Sequence, residues 1–209
     1  MTTTSGSAAA IALYEDRADM LAARYDAVPN ERFYAPVRHL IPMRPSRVAD
    51  IGTATGRDAR WFADMGHSVV AVDPVAGFLD RARRSDTRID WVRDALPDLP
   101  RLVERGETFD FINLSGVWQH LDPEECARAA PVLRRIAAPS ALLNLALRIG
   151  PSPQGLPVFP IDPNATAGLF TQAGFEEVLR AEVESTQEAN RAAGVRWTWL
   201  VLRAKEGCK

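Results

Sequence analysis

Residues 48–58 read VADIGTATGRD, an apolar run ending in Asp50, then Gly52, Ala54 and Gly56 at alternate positions. Small residues there let the backbone turn and a ligand approach it closely. A helix expected from Arg57 aims free backbone N–H groups at the same spot. Asp73 ends the run SVVAVDP, where its carboxylate can accept from both hydroxyls of a ribose. Asp94, in WVRDAL, is placed to accept from an adenine amino group. Each also has a purely structural explanation: a tight turn without a ligand, a surface aspartate before Pro74, a strand-end cap at Asp94. Further along, SGVWQHLD gathers Trp118, Gln119 and His120 in one loop. The His120 imidazole can take a proton near neutral pH, with structural packing as its competing role. Trp118 can stack on a planar acceptor, and Arg148 can pair with a carboxylate or phosphate unless it is a solvated strand-end arginine. His39 and His67 have weaker claims, His67 being expected at the surface in the MGHSV turn.

The glycine turn alone leaves its ligand open. A dinucleotide fingerprint, G-x-G-x-x-G, needs a glycine-like residue at position 57, which is Arg57, and the P-loop pattern fails for want of a following Gly-Lys-Ser/Thr.

Alternating elements must position these residues. Residues 14–28 carry Tyr14, Ala18, Leu21, Ala22 and Tyr25 at helical spacing, and a second short helix is expected through FYAPVRHLI despite Pro36. Strands are expected at 47–53, 68–74, 89–95, 109–116, 141–149, 175–183 and 196–204. Helices are expected at 57–65, 76–84, 97–105, 122–138 and 164–173. Asp122-Pro123-Glu124-Glu125 has the composition of a capped helix start, and Pro131 should kink the helix that follows. Apolar strands alternating with helices imply an α/β, doubly wound, mostly parallel sheet with helices on both faces. Ligands bind such sheets beyond the carboxyl ends of the strands, which directs attention to 52–58, 73–74, 94–96, 115–120 and 148–158.

Taken in order, VADIGTATGRDA, SVVAVDP, WVRDALPD, FDFINLSGVWQHLDPEE and ALLNLALR resemble the class I S-adenosylmethionine-dependent methyltransferases over residues 14–204. Ala54 is the one departure from that family's commonest glycine turn. The resemblance implies seven strands with the last antiparallel, a Rossmann-like core over 46–209 and a helical lid over 13–45. It also implies roles for individual residues. Asp50, Gly52, Thr53, Ala54, Gly56 and Arg57 would surround the methionine and ribose of S-adenosyl-L-methionine. Asp73 with Pro74 would hold the ribose, Asp94 with Ala95 and Leu96 the adenine, and Ser115 with Gly116 the methionine. Tyr14 and Tyr25 would lie on the lid, or else simply pack one helix face. His120 is then the candidate base, and Trp118 and Arg148 the candidate contacts to a small-molecule acceptor.

The bulk numbers fit one domain: 209 residues, 46% hydrophobic and 25% charged, with formal net charge −2. That charge supplies no general attraction to nucleic acid or anionic membrane. Residues 1–12 are expected to form a disordered tail and make a poor signal peptide, no apolar stretch reaches a membrane span, and Cys126 and Cys208 have neither metal-ligand nor disulfide-framework spacing. A cytoplasmic methyltransferase acting on an O or N nucleophile of a small molecule, without a metal, is therefore expected. The alternatives are a tRNA or other macromolecule methyltransferase using Arg81, Arg83, Arg84 and Arg88 or Arg101 and Arg105, and a non-catalytic adenosylmethionine-binding protein. A nicotinamide oxidoreductase is disfavoured by Arg57 and by the position of Asp94. Acceptor identity and oligomeric state do not follow from these residues.

Overall fold

The computed structural model describes residues 6–152 and 156–206. Seven strands form one sheet: β1 (Arg47–Ile51), β2 (Ser68–Asp73), β3 (Asp90–Arg93), β4 (Phe109–Ser115), β5 (Ala137–Ile149), β6 (Phe175–Glu184) and β7 (Arg196–Ala204). Their order is β3-β2-β1-β4-β5-β7-β6. All neighbours run parallel except β7, which is antiparallel to β5 and β6. Strand order reverses between β1 and β4, so the crevice expected of a doubly wound sheet opens there.

The strands alternate their side chains between two cores. On one face Ala49, Ile51, Ile112 and Leu143 pack with Leu102, Leu133 and Phe170. These last three belong to α5 (Pro100–Glu104), α6 (Pro123–Ile136) and α7 (Pro163–Gln172). On the other face Val48, Val69, Phe111 and Trp199 pack with Phe33, Phe62 and Leu79. These come from α2 (Asn30–Phe33), α3 (Arg57–Asp64) and α4 (Ala76–Ser85). A further helix, α8 (Glu188–Ala192), sits between β6 and β7, and α1 (Gly6–Asp26) precedes the sheet.

Several local expectations hold in detail. Asp122 accepts from the Glu125 N–H at 2.8 Å while the Glu125 carboxylate accepts from the Asp122 N–H at 2.9 Å, a closed capping box with Pro123 in the first turn. The helix continues through Pro131 to Ile136.

Others need correction. The tail expected through residue 12 is helical from Gly6 onward, while residues 1–5 lie outside the described residues. Its alanines are the strongest helix formers, and its start is docked, with the Ser7 amide donating to Glu125 at 3.1 Å. The second helix expected near 33–41 is split into α2 and a 3-10 turn, Arg38–Leu40, on either side of Pro36. His67, expected at the surface, is buried, and its Nδ1 accepts from the Ser46 amide at 3.2 Å. Neither the early start of β5 at Ala137 nor α8 follows from the expected pattern.

Candidate active site

The turn after β1 is built from left-handed residues: Gly52 at φ 76°, Ala54 at φ 47° and Gly56 at φ 78°. A Cβ on Gly52 would stand 2.3 Å from Val117 Cγ2, and one on Gly56 would stand 2.3 Å from Trp91. Conformation and space therefore both require glycine at these two positions. Ala54 holds the same handedness at a cost of about 1–2 kcal/mol. It is held there by its amide, which donates to Asp73 Oδ2 at 2.8 Å.

Asp73 Oδ1 accepts from the Val75 amide at 2.9 Å. Burial, partly offset by these two amides, raises the carboxyl to about 6. Asp94 is also buried and accepts from the Ala95 and Leu102 amides at 3.0 and 2.9 Å. The strand-end cap and the ligand-facing position thus coincide in one residue.

Beneath the turn lies a polar row with no counterpart in the sequence expectations. Register aligns Asp50 of β1 with Asn113 of β4, and Asn113 with Asn144 of β5. The Asn144 amide donates to Asn113 Oδ1 at 2.8 Å, and the Asn113 amide donates to Asp50 Oδ1 at 2.8 Å and to the Tyr34 hydroxyl at 2.9 Å. Thr53 donates to Asp50 Oδ2 at 2.6 Å, and Tyr34 donates to Asp58 at 2.7 Å. Burial first, then the Asp58 charge, pushes the Asp50 carboxyl up. Asp58 itself is ion-paired with Arg57 at 2.6 Å. Buried bonds to charged groups contribute about 1.5–3 kcal/mol each, so the row fixes the turn from below.

Above the turn lies a cavity of about 270 Å³. Gly52, Thr53, Ala54, Arg57, Asp73, Pro74, Asp94, Ala95, Leu96, Ser115, Gly116, Tyr14, Tyr25, His120 and Arg148 all line it. Of the remaining expected site residues, Asp50 lies below the lining and Gly56 acts through the shape of the turn. Trp118 does not face the cavity. It is buried against Phe170, ring centroids 5.1 Å apart, because the 3-10 turn Trp118–His120 rotates it into the core. The tryptophan that lines the cavity is Trp197 of β7.

Helix α1 roofs the cavity and is fastened at both ends. Near its start, Ser7 bonds Glu125 through amide and hydroxyl. Near its end, Asp26 accepts from Thr55 at 2.6 Å, and Arg57 donates to the Tyr25 carbonyl at 3.1 Å. Tyr14 and Tyr25 face Phe78 and each other, with hydroxyls 3.4 Å apart.

His120 is buried at the other end of the cavity. Its Nδ1 lies 2.9 Å from the Pro157 carbonyl. A carbonyl only accepts, so Nδ1 carries the proton and Nε2 presents a lone pair, with the Tyr14 hydroxyl 3.2 Å away. Burial, and to a lesser degree Arg148, lowers its pKa below the ordinary histidine value. Beside it, Gln119 Oε1 is buried and has no hydrogen-bond partner among the described residues. Among the described residues no group of three or more His, Cys, Asp or Glu is arranged to hold a metal ion. No helix among them is long and apolar enough to cross a membrane.

A parallel sheet with this strand order, one terminal antiparallel strand and a glycine turn at the switch point is the class I, Rossmann-like methyltransferase fold. Residues 48–140, from β1 into β5, match the model of the methyltransferase-domain family. An uncharacterized methyltransferase of Mycobacterium tuberculosis is 31% identical over 113 residues, covering 51% of this chain and 41% of its own. The matched region therefore spans under half the length of that relative. Among solved structures, the 1,6-didemethyltoxoflavin-N1-methyltransferase of Burkholderia thailandensis, with bound 1,6-didemethyltoxoflavin and S-adenosylhomocysteine, has 20% identity. Its TM-score is 0.64, with 93% of this chain and 89% of that one covered. The [4+2]-cyclase SpnF shares the fold at TM-score 0.73 and 14% identity, covering 99% of this chain and 98% of its own.

Proposed function

We propose that the protein is an S-adenosylmethionine-dependent methyltransferase that methylates an O or N nucleophile of a small molecule. The observation that carries this reading is the pairing of the left-handed turn at 52–56 with the buried Asp73 carboxylate, both facing one cavity. Asp73 would accept from the ribose hydroxyls, and Asp94, Ala95 and Leu96 would face the adenine. Gly52, Thr53, Ala54, Ser115 and Gly116 would line the methionine portion. Bound there, S-adenosylmethionine would supply a methyl group activated by its sulfonium. The toxoflavin enzyme of the same fold, whose structure holds both S-adenosylhomocysteine and a small acceptor, supports the cofactor and the acceptor class.

The chain's own contribution is placement and a proton site. Helix α1 with Tyr14 and Tyr25 keeps bulk water from the cavity. His120 Nε2 is neutral at pH 7 and oriented by Pro157, so it would accept the proton of an O–H or N–H nucleophile. Gln119 Oε1 would orient that same donor. A roofed cavity of about 270 Å³ suits a small acceptor better than a folded polymer. The arginines considered for nucleic acid are partly neutralised, Arg88 by Asp64 and Asp86, Arg105 by Asp90 and Glu107.

Calorimetry with S-adenosylmethionine and S-adenosylhomocysteine tests the reading directly. Saturable heat with both is expected, and wild-type protein giving none with either would sink it. A second reading, cofactor binding without methyl transfer, draws support from the [4+2]-cyclase of the same fold. Cofactor heat without turnover across a broad panel of small O and N nucleophiles would favour that second reading.

A further inference from the structure

The charged groups lining the cavity divide by location. Asp58 is paired with Arg57, and the Asp73 and Asp94 carboxylates are held by backbone amides. Elsewhere in the lining stand Arg148 of β5 and Arg24 of α1, and among the described residues neither has a carboxylate within ion-pair distance. Arg148 donates to the Pro151 carbonyl at 2.8 Å and Arg24 to Asn190 Oδ1 at 3.3 Å, both neutral partners. Both guanidinium groups line the same cavity, Arg148 half-buried and Arg24 exposed, and burial, then the charge of Arg24, lowers the Arg148 pKa. A half-buried guanidinium without a counter-ion is stabilised by a bound anion, and a second cation lining the same cavity adds to that attraction.

A flat apolar wall adjoins them. Trp197 is directly opposite Arg148 in the β5–β7 register, so the two side chains share one face of the sheet. The Trp197 indole is tethered to Ser185 Oγ at 3.4 Å, and both residues line the cavity. Thr186, Gln187 and Asn190 complete a polar rim.

We infer that the acceptor is a planar small acid, its carboxylate or phosphate held between Arg148 and Arg24 and its ring laid against Trp197. This rests on the reading that the cavity takes an acceptor beside a nucleoside cofactor. It goes beyond that reading by fixing the acceptor's charge and shape.

The test uses protein saturated with S-adenosylhomocysteine and pairs of probes differing only in charge. Benzoate is compared with benzamide, and phenyl phosphate with phenol, by calorimetry. Each acid should bind about tenfold or more tightly than its neutral partner, as charge-assisted contacts to arginine require. The larger preference identifies the anion as carboxylate or phosphate. Arg148→Gln and Arg24→Gln should each remove most of that preference, leave the neutral probes unchanged, and keep adenosylhomocysteine affinity within about twofold. Trp197→Ala should weaken acid and neutral probes alike. Equal binding of acids and neutral partners by wild-type protein overturns the inference. So does a loss of adenosylhomocysteine affinity in either arginine variant with the acid preference intact, which would assign the arginines to the cofactor's own carboxylate. If wild-type protein binds the acids but no adenosylhomocysteine, the methyltransferase reading fails while the anion site stands.

Discussion

The two ends of the cavity are built by different means. At the cofactor end, polarity is supplied by the backbone and by carboxylates that the fold itself satisfies: Asp73 by Ala54 and Val75, Asp94 by Ala95 and Leu102. Every such group follows a strand within a few residues, so sheet register alone brings them together. In the part of the cavity proposed for the acceptor, His120, Gln119, Arg148, Arg24 and Trp197 come from a loop turn, two strands and a helix far apart in sequence. Among the described residues their polar atoms are left short of partners: Gln119 Oε1 has none, and the two arginines have no carboxylate. One part is satisfied within the protein, whereas the other, in the proposed reading, would be completed by its ligand.

The strongest way to break this contrast is at His120. Replacing it with Ala should lower methyl transfer to a proton-bearing acceptor by about 10²–10⁴-fold, read from transfer of a radiolabelled methyl group. Adenosylhomocysteine affinity should stay within about twofold. Because a base works when deprotonated and this pKa is lowered, wild-type rate should rise with pH through a midpoint below 6.5 and then level off. A large loss of cofactor affinity in the variant would merge the two ends into one.

Gly52→Ala attacks the internally satisfied part. Its Cβ would meet Val117 at 2.3 Å in a backbone held at φ 76°, so the fold should lose about 2–4 kcal/mol and the cofactor heat should vanish. Thermal unfolding and calorimetry read the two effects.

Asp73 gives a titratable version of the same test. Ribose hydroxyls donate to a carboxylate, so adenosylhomocysteine should bind the ionised form. Affinity should weaken as pH falls through about 6, approaching tenfold per pH unit below it. Asp73→Asn should flatten that dependence. For the ligand-free protein the sign is reversed. Burial raises this carboxyl above its unfolded value, so its contribution is fully present below about pH 4 and is lost as pH rises through about 6.

The smallest expected effect is at Ala54. Glycine relieves the left-handed strain but adds unfolded-state freedom, so Ala54→Gly should stabilise by only about 0.5–1 kcal/mol. That corresponds to a Tm rise of about 1–4 °C.

The sequence carries the internally satisfied part well because its signals are local. Small residues at 52–56 and aspartates at the ends of apolar runs state both chemistry and position. It also predicts all seven strands and the capping box, and the family resemblance implies the reversed last strand. The polar row was legible in principle, since Asn113 and Asn144 interrupt apolar runs in FDFINLS and ALLNLALR, but its partners Tyr34 and Asp58 lie on other elements. Of the residues proposed to meet the acceptor, His120, Gln119 and Arg148 were expected, whereas Trp197 escaped for a topological reason. Sites are sought after the carboxyl ends of strands, yet β7 is antiparallel, so its first residues reach that edge. Trp197 therefore faces the cavity while Trp118, placed by the usual rule, turns into the core.

The doubly fastened helix α1 has a kinetic consequence. At about 1.5 Å per residue its 21 residues stretch roughly 30 Å, from the start of α6 to the turn after β1. The helix lies along the cavity, so its fastenings bear on how a molecule of nucleoside size enters and leaves. The face that α1 buries is Gly6, Ala10, Ala18 and Ala22, with Tyr14, Leu21 and Tyr25 packed around Phe78. In the proposed reading, the dwell time of spent cofactor would depend on these contacts of α1, Ser7 to Glu125, Glu15 to Arg93 and Thr55 to Asp26 among them, as well as on the grip of the cavity itself.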